Sequence, residues 1–302
     1  MKRMEKDMDK KIFRKWAAIS VAVLVITASM VTEYSRRPVE ENINITAEAA
    51  IIINAGNGQV LYEKNADRRL QPASTVKVMT AIIAIKNMPL DEKIIPTESV
   101  KSIEPTNAGL EPGVAYRLKD LIAAILIKSA NDAAVAIAEG VAGNEDDFAR
   151  LMNQEALEFG MLDTNFTNAS GLPAKPRARQ YTTARDLSKM MRQAVKDKFI
   201  LEKMSVKEKD IYAGDGTKIQ LTTHNRSLVS GEKALWGKTG YTIKAKRTFA
   251  GVDPSPKPKI IVTLLRSKTL WKDMALLKKH GLEVYDRRRG VFDRLLDYFR
   301  DR

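Results

Sequence analysis

The segments of this chain that read as strands lie near its two ends and those that read as helices lie between them. Any sheet it builds must therefore be closed by bringing the ends together. Near the start, the isoleucine-rich run Ala49 to Asn54 is followed by Ala-Gly56-Asn-Gly58 and then Gln59-Val-Leu-Tyr-Glu63, a strand, a glycine turn and a second strand. Near the end, Trp236 to Lys238, Thr248 to Val252 and Lys259 to Leu265 read as strands, and Trp271 to His280 as a helix. Between them, Thr75 to Asn87 is apolar on almost every side, which predicts an interior helix stopped by Pro89. Helices are also predicted over Leu118–Ile127, over Ala133–Val141 ahead of Gly143, and over Phe148–Phe159 ahead of Gly160. Another starts at Thr182-Thr-Ala-Arg-Asp-Leu187, where the hydroxyls are available as caps. No internal repeat and no low-complexity tract is visible.

Composition excludes several chemistries. The 302 residues contain no cysteine, so disulfides and thiolate metal sites are ruled out. His224 and His280 are the only histidines and no H-E-x-x-H occurs, which argues against a zinc hydrolase. A Ser-His-Asp hydrolase would need His224 as its base and has no G-x-S-x-G elbow. No metal or organic cofactor is expected. The net charge is +14, of which the first 30 residues carry +4 and the remainder +10. That surplus suits an anionic partner such as wall polymer or lipid headgroups. Nucleic acid is not expected as a partner, because no binding signature is visible and aromatic residues make up only 6%.

Lys10-Lys-Ile-Phe-Arg-Lys15 precedes an uncharged stretch from Trp16 to Thr32. As a helix those residues would span about 25 Å, at the short end for crossing a bilayer. Seven Lys/Arg lie before it, against Arg36 and Arg37 just after, which predicts an N-terminus held in the cytoplasm. The expectation is a cytoplasmic basic tail over residues 1–15 and a transmembrane signal anchor, or a cleavable signal peptide, over 16–32. A polar linker over 33–47 follows, with everything beyond it outside the cytoplasm, in the periplasm or on the outer face of the membrane.

Three short motifs carry the chemistry. In Ser74-Thr-Val-Lys77 the serine enters a helix and the lysine lies three residues on, so both side chains share a face. A lysine buried there near a second cation should have a depressed pKa and could take the serine proton. With fourteen serines, about one S-x-x-K is expected by chance at ordinary lysine frequencies, and Ser230-Gly-Glu-Lys233 also fits. That second copy contains Gly231 and precedes no apolar helix, so it reads as a loop coincidence. Ser129-Ala-Asn131 follows a helix; its hydroxyl could pass a proton to a leaving amine and its amide could hold a substrate backbone. By itself it reads as a cap or turn. Lys238-Thr-Gly240 lies in a strand-like stretch, where Lys238 can attract a peptide carboxylate while Thr239 and Thr242 donate hydrogen bonds to it. Gly240 lets the backbone approach a substrate closely, and Lys238 is the second cation beside Lys77. Read alone, the segment is equally an edge strand guarded by a lysine.

The same trio is found in penicillin-binding proteins and class A β-lactamases, and the resemblance extends beyond it. Gly56-Asn-Gly-Gln-Val-Leu-Tyr-Glu-Lys-Asn-Ala-Asp67, Pro72-Ala-Ser-Thr-Val-Lys-Val-Met-Thr-Ala81 and Ser129-Ala-Asn-Asp-Ala-Ala-Val-Ala-Ile-Ala-Glu139 resemble the D-alanyl-D-alanine carboxypeptidases, the low-molecular-weight penicillin-binding proteins. So do Asn168-Ala-Ser-Gly-Leu-Pro173, Tyr181-Thr-Thr-Ala-Arg-Asp-Leu187 and Gly237-Lys-Thr-Gly-Tyr-Thr242. The similarity covers residues 48–285. It implies an α/β (α+β) fold of the penicillin-recognising, β-lactamase/transpeptidase-like type: an antiparallel sheet flanked by helices, plus a helical lobe. It also implies Ser74 as the acylated nucleophile, Lys77 as general base, Ser129 as proton shuttle, and Asn131, Lys238, Thr239, Gly240, Tyr241 and Thr242 on the substrate side. The oxyanion hole would be the backbone N–H groups of Ser74 and Tyr241. The implied substrates are peptidoglycan stem peptides ending in D-Ala-D-Ala, with β-lactams as covalent inhibitors.

Two departures bear on that reading. Many relatives carry a separate β-rich C-terminal domain, whereas 62 residues follow Gly240 here, so no second globular domain is expected. Shorter relatives include D,D-endopeptidases that cut crosslinks. Ala130 stands where the β-lactamase motif has Asp, and no E-x-x-L-N segment is present to supply a deacylating glutamate. The function implied is removal of the terminal D-alanine through a Ser74 acyl-enzyme. The alternatives are crosslink cleavage, β-lactam hydrolysis, or wall binding without turnover. Over residues 286–302, Val291, Phe292, Leu295, Leu296 and Phe299 form an apolar stripe at helical spacing, which predicts an amphipathic helix docked on the domain or on a membrane surface.

Overall fold

The computed structural model describes residues 43–173, 179–229, 234–254 and 260–300, with side chains to residue 288. The chain divides into residues 1–39 and 40–302, and the described residues all belong to the second unit. The basic tail, the apolar segment 16–32, most of the linker and Ser230–Lys233 therefore lie outside them. Among the described residues no helix is long and apolar enough to cross a membrane.

In chain order the elements are β1 (Ala49–Asn54), β2 (Val60–Lys64), α1 (Lys77–Asn87), β3 (Lys93–Ile94), β4 (Tyr116–Arg117), α2 (Leu118–Ala123), α3 (Asn131–Ala142), α4 (Glu145–Glu158), α5 (Ala184–Ala194), α6 (Lys198–Ser205), β5 (Glu208–Tyr212), β6 (Lys218–Thr222), β7 (Trp236–Thr242), β8 (Lys246–Val252), β9 (Ile260–Ser267) and α7 (Leu270–Arg300). A 3₁₀ turn, Ala73–Val76, leads into α1, and a π turn, Ala124–Lys128, continues α2.

The early and late strands do meet. The main sheet runs β2-β1-β9-β8-β7, and β1 lies antiparallel to both β2 and β9, with Ile51 opposite Thr263 and Ile52 opposite Val262. Ile51, Ile52 and Ile53 are all buried, as a central strand covered on both faces requires. One face packs on the helical core, where Thr263 Oγ1 donates to the Ala184 carbonyl at the start of α5 (2.7 Å). The other face lies under α7, whose Leu270, Met274, Leu277 and Val284 are buried at helical spacing. Gly281 lets that helix close: a Cβ there would stand 2.7 Å from Ile52 Cγ2. The helix expected over Trp271–His280 and the tail expected over 286–302 are one continuous element to Arg300.

Helices α1 to α5 form the lobe on the inner face. α1 buries Val78, Met79, Ala81, Ile83 and Ala84, as its all-round apolarity predicts. Asn144 and Thr183 cap α4 and α5 by accepting from the backbone N–H groups of Asp147 and Asp186. The β5–β6 hairpin and α6 were not anticipated. Their apolar residues are few and alternate over too short a run to stand out in sequence.

Residues 43–47, grouped with the linker by polarity, belong to the fold. Ile45 and Ala47 are buried, and Thr46 is tied to Asp273 in the first turn of α7. The buried Asp273 carboxylate accepts from Thr46 N (3.0 Å), Thr46 Oγ1 (2.7 Å), Ser267 Oγ (2.7 Å) and Thr269 Oγ1 (3.1 Å). One carboxylate thus joins the entering chain, the end of β9 and a helix N-terminus, where the helix dipole favours it. Asp273→Ala should lower the unfolding free energy by about 2–3 kcal/mol, through loss of charge-assisted hydrogen bonds and of the helix-dipole interaction. Urea titration reads this directly, and a loss below about 0.5 kcal/mol would mean that water satisfies the three hydroxyls equally well.

Candidate active site

Ser74 sits in the 3₁₀ turn that feeds α1 from the sheet side of the lobe. The turn is entered through Ala73 in the left-handed region (φ +49°), a conformation that holds the serine at the helix mouth rather than within it. Pro72 O accepts from Thr75 Oγ1 (2.8 Å) and from Thr248 Oγ1 of β8 (2.9 Å), so helix mouth and sheet share one anchor. Ser74 is half-buried; Lys77, the first residue of α1, is fully buried.

Lys77 Nζ lies 3.0 Å from Ser74 Oγ, 2.7 Å from Asn131 Oδ1 and 2.5 Å from Ser170 O. Two of these neighbours are carbonyl oxygens, which only accept. A neutral amine has two N–H bonds and one lone pair. If each carbonyl takes an N–H, the lone pair is left facing the Ser74 hydroxyl. Burial, and then the charge of Lys238, push the Lys77 ammonium well below its ordinary pKa, with Asp132 opposing them. Both effects act toward the neutral form that this arrangement needs.

Ser129 and Asn131 lie at a break in regular helix, and Asn131 reaches Lys77. The π turn Ala124–Lys128 ends on Ser129 in the left-handed region (φ +66°), and α3 begins two residues later at Asn131. Both residues are buried. Asn131 was read as a substrate contact; its Oδ1 is engaged by Lys77, which leaves its N–H donors for that purpose. The next residue, Asp132, accepts from the backbone N–H groups of Ala108 (2.8 Å), Gly109 (2.9 Å) and Leu110 (3.1 Å), and fixes that loop beside the Ser129 turn.

The opposite wall is β7, an edge strand that contains Lys238, Thr239, Gly240, Tyr241 and Thr242. Lys238 is buried and donates to Thr239 O (2.8 Å). Burial lowers its pKa to about 7. Gly240 faces the helix mouth so closely that a Cβ would lie 2.8 Å from Ser74 N and 2.5 Å from Thr248 Oγ1. The Ser74 N–H and the Gly240–Tyr241 backbone thus flank one small space, as an oxyanion hole requires. Thr239 is half-buried and Tyr241 exposed. Thr242 Oγ1 accepts from Ala245 N (3.0 Å), which ties it to the β7–β8 turn. Asn225 Nδ2 donates to Leu235 O (2.8 Å) and braces the start of the strand. His224 is exposed, its pKa lowered by desolvation and by Lys238, Lys128 and Lys77.

The structure therefore draws Ser74, Lys77 and Asn131 into one hydrogen-bonded group and sets the Gly240 stretch of β7 against Ser74. Two contributors were missed in sequence. The Ser170 carbonyl is backbone, and a side-chain pattern is blind to it. The available signal was Gly171: its φ is +82° and a Cβ would stand 2.1 Å from Ala73 O, so only glycine passes the helix mouth there. Asp132 was read only as part of a motif.

A family model described as D-alanyl-D-alanine carboxypeptidase matches residues 35–269. The chain belongs to that family. The D-alanyl-D-alanine carboxypeptidase DacF of Bacillus subtilis is 32% identical over 205 residues, which cover 66% of this chain and 52% of DacF. The chain thus spans about half the length of that relative. The crystal structure of D-alanyl-D-alanine carboxypeptidase from Mycobacterium tuberculosis H37Rv matches with a TM-score of 0.76 at 25% identity, over 82% of this chain and 96% of that one. A mutant of the Streptomyces K15 DD-transpeptidase matches with a TM-score of 0.74 at 25% identity, over 80% of this chain and all of that one. The antiparallel sheet, flanking helices and helical lobe are those of the family's penicillin-recognising fold.

The close approach at Gly240 yields a specific expectation. In Gly240→Ala the methyl group collides with the Ser74 backbone, and acylation should slow by about 10²–10³-fold, the usual loss when one oxyanion donor is displaced. Stopped-flow acylation by a chromogenic β-lactam measures it. A loss under threefold would show that the β7 backbone does not line the reacting carbonyl.

Proposed function

We propose that this protein is a serine D-Ala-D-Ala carboxypeptidase, with Ser74 as nucleophile, Lys77 as general base, Ser129 as proton shuttle, and Asn131 and β7 as the substrate side. The observation that carries the reading is the position of Lys77, with two fixed carbonyls to take its N–H groups and Ser74 Oγ at 3.0 Å to face its lone pair. Lys77 takes the Ser74 proton as Oγ attacks the carbonyl carbon of the penultimate D-alanine. The oxyanion is held by the N–H groups of Ser74 and Tyr241. Collapse breaks the C–N bond, and the leaving amine takes the proton back through Ser129. Water then attacks the ester, giving its proton to Lys77, and Ser74 is released with the shortened peptide. The substrate's terminal carboxylate pairs with Lys238. A β-lactam, which presents an amide and a carboxylate in the same relation, acylates Ser74 and stays.

An extracytoplasmic location, with the chain tethered through residues 16–32, is part of the proposal. Its support is the charge asymmetry around that apolar segment and the wall substrate the site fits.

Incubation with benzylpenicillin, followed by intact mass, should give a lasting adduct on Ser74 that is absent in Ser74→Ala. A muropeptide pentapeptide should lose one D-alanine, while a crosslinked dimer stays intact. Cleavage of the dimer alone would replace this reading with an endopeptidase. Absence of an adduct on folded protein would replace it with a wall-binding module.

The two amines set a pH dependence. Acylation needs neutral Lys77, so kcat/KM falls on the acid side as Lys77 protonates. Carboxylate binding needs charged Lys238, so it falls on the alkaline side, above about pH 7. Lys238→Gln removes a charge that depresses Lys77. Its acid limb should therefore move to higher pH and its alkaline limb should vanish. An alkaline limb unchanged in that variant would assign it to another group.

A further inference from the structure

The β7–β8 turn stands at the end of the strand that lines the site, and its chemistry is not used by the mechanism above. Ile243, Lys244 and Ala245 form the turn between Thr242 and Lys246. Its shape is held from within, because Ala245 is buried and its N–H donates to Thr242 Oγ1 (3.0 Å). What remains points outward: Tyr241 and Ile243 are 59% and 80% exposed, and Lys244, Lys246 and Arg247 are exposed too. Lys246 occupies the left-handed region (φ +54°), a position glycine takes without cost. Some exposed cations elsewhere meet acids, as Arg69 meets Asp163 and Lys218 meets Asp210. Among the described residues no carboxylate forms an ion pair with Lys244, Lys246 or Arg247; Arg247 instead lies over the Tyr241 ring, 5.8 Å from its centre.

The direction of the substrate decides what this tip meets. On the reading above, the terminal carboxylate lies at Lys238 and the reacting carbonyl at Gly240–Tyr241, beside Ser74. Continuing along the strand carries the upstream part of the peptide past Thr242 to the turn. At about 3.3 Å per residue, the tip is about 10 Å beyond Gly240, within reach of side chains two or three residues upstream of the scissile bond. A flexible neutral peptide has nothing to gain from three cations there; one that carries carboxylates does.

We propose that the Tyr241–Arg247 tip is a specificity site that selects peptides with a negatively charged group two or three residues upstream of the scissile bond. Tyr241 and Ile243 supply apolar contact for the peptide stem, and Lys244, Lys246 and Arg247 supply the charge. The inference rests on the carboxypeptidase reading and names the substrate class within it.

Two peptides separate the alternatives: diacetyl-L-Lys-D-Ala-D-Ala, and the same peptide with succinyl in place of acetyl on the lysine side chain, which adds one carboxylate. D-Alanine release is followed for the full chain and for the triple variant Lys244→Gln, Lys246→Gln, Arg247→Gln. The wild type should favour the succinylated peptide about tenfold in kcat/KM at low salt, and the preference should shrink as salt screens exposed charges. The triple variant should lose the preference and keep its rate on the acetylated peptide. Equal rates for the wild type, or a preference that survives in the variant, overturns the specificity site and leaves the carboxypeptidase reading intact. If the wild type releases D-alanine from neither peptide, that reading fails, and the inference with it.

Discussion

The site depends on keeping one amine, Lys77, fully buried, where its ammonium form is disfavoured. An ammonium removed from water costs several kcal/mol even after relaxation. Two ammonium groups side by side would add about 4 kcal/mol of repulsion at 4 Å with an effective dielectric constant near 20. The protein holds Lys77 and Lys238 in one buried space, so the fold favours states in which at least one of them is neutral. On the proposed roles, the burial that lowers the pKa of Lys77 also makes Lys238 sensitive to a carboxylate, because an arriving anion restores the charge that desolvation removed. Activation of Ser74 and recognition of a substrate terminus would then share one electrostatic cause.

Holding that arrangement is a task for the whole topology. Lys77 is on α1, Asn131 on α3, the Ser170 carbonyl on the segment that crosses the helix mouth, and Lys238 on β7. These are separated by up to 161 residues in sequence. Lys77, Asn131 and the Ser170 carbonyl stay within hydrogen-bond distance because α1 is packed into the lobe, and Lys238 is held nearby because β7 is fixed through β8 and β9 to β1. Asp273 and Thr46, remote from the chemistry, lock the segment entering β1 to the start of α7, and β1 is the strand that this lock keeps in the sheet. Rigidity at the far edge is transmitted by register: Gly240 faces Thr248 across β7–β8, and Thr248 is bonded to Pro72 two residues before the nucleophile.

Much of this could be read from sequence where side chains carry the information. The apolar helix after Ser74, the glycine hairpin, the late strands and the three motifs each rest on residue types with few alternatives. What escaped was of a different kind. Ser170 acts through its carbonyl, which every residue has. The π turn before Ser129 looks like ordinary helix, because one extra backbone residue leaves the apolar pattern of Ala124–Ile127 unchanged. Helix α7 was split in sequence, since Asp286 to Gly290 interrupts the apolar spacing without breaking the backbone hydrogen bonds. The β5–β6 hairpin is short and polar and gains its stability by leaning on the lobe.

Three of the unconventional backbone positions lie at the site and share a reason. Ala73 and Ser129 both hold positive φ without being glycine, and Gly171 holds it where no side chain fits. Ala73 and Ser129 flank helices beside Ser74 and Asn131, and Gly171 lies in the non-helical segment that brings the Ser170 carbonyl to Lys77. A regular helix would bury its own N–H and C=O groups in internal hydrogen bonds. Backbone outside regular helix leaves the Ser170 carbonyl to Lys77 and, on the proposed mechanism, the Ser74 N–H to an oxyanion. Each such residue costs on the order of 1–3 kcal/mol unless the surroundings over-determine it. Here they do so with apolar packing, since Ala73, Ala130 and Ala169 are all buried beside these turns. Small alanines next to strained serines let the turns sit inside the core, where water cannot reach the amine that the chemistry needs dry.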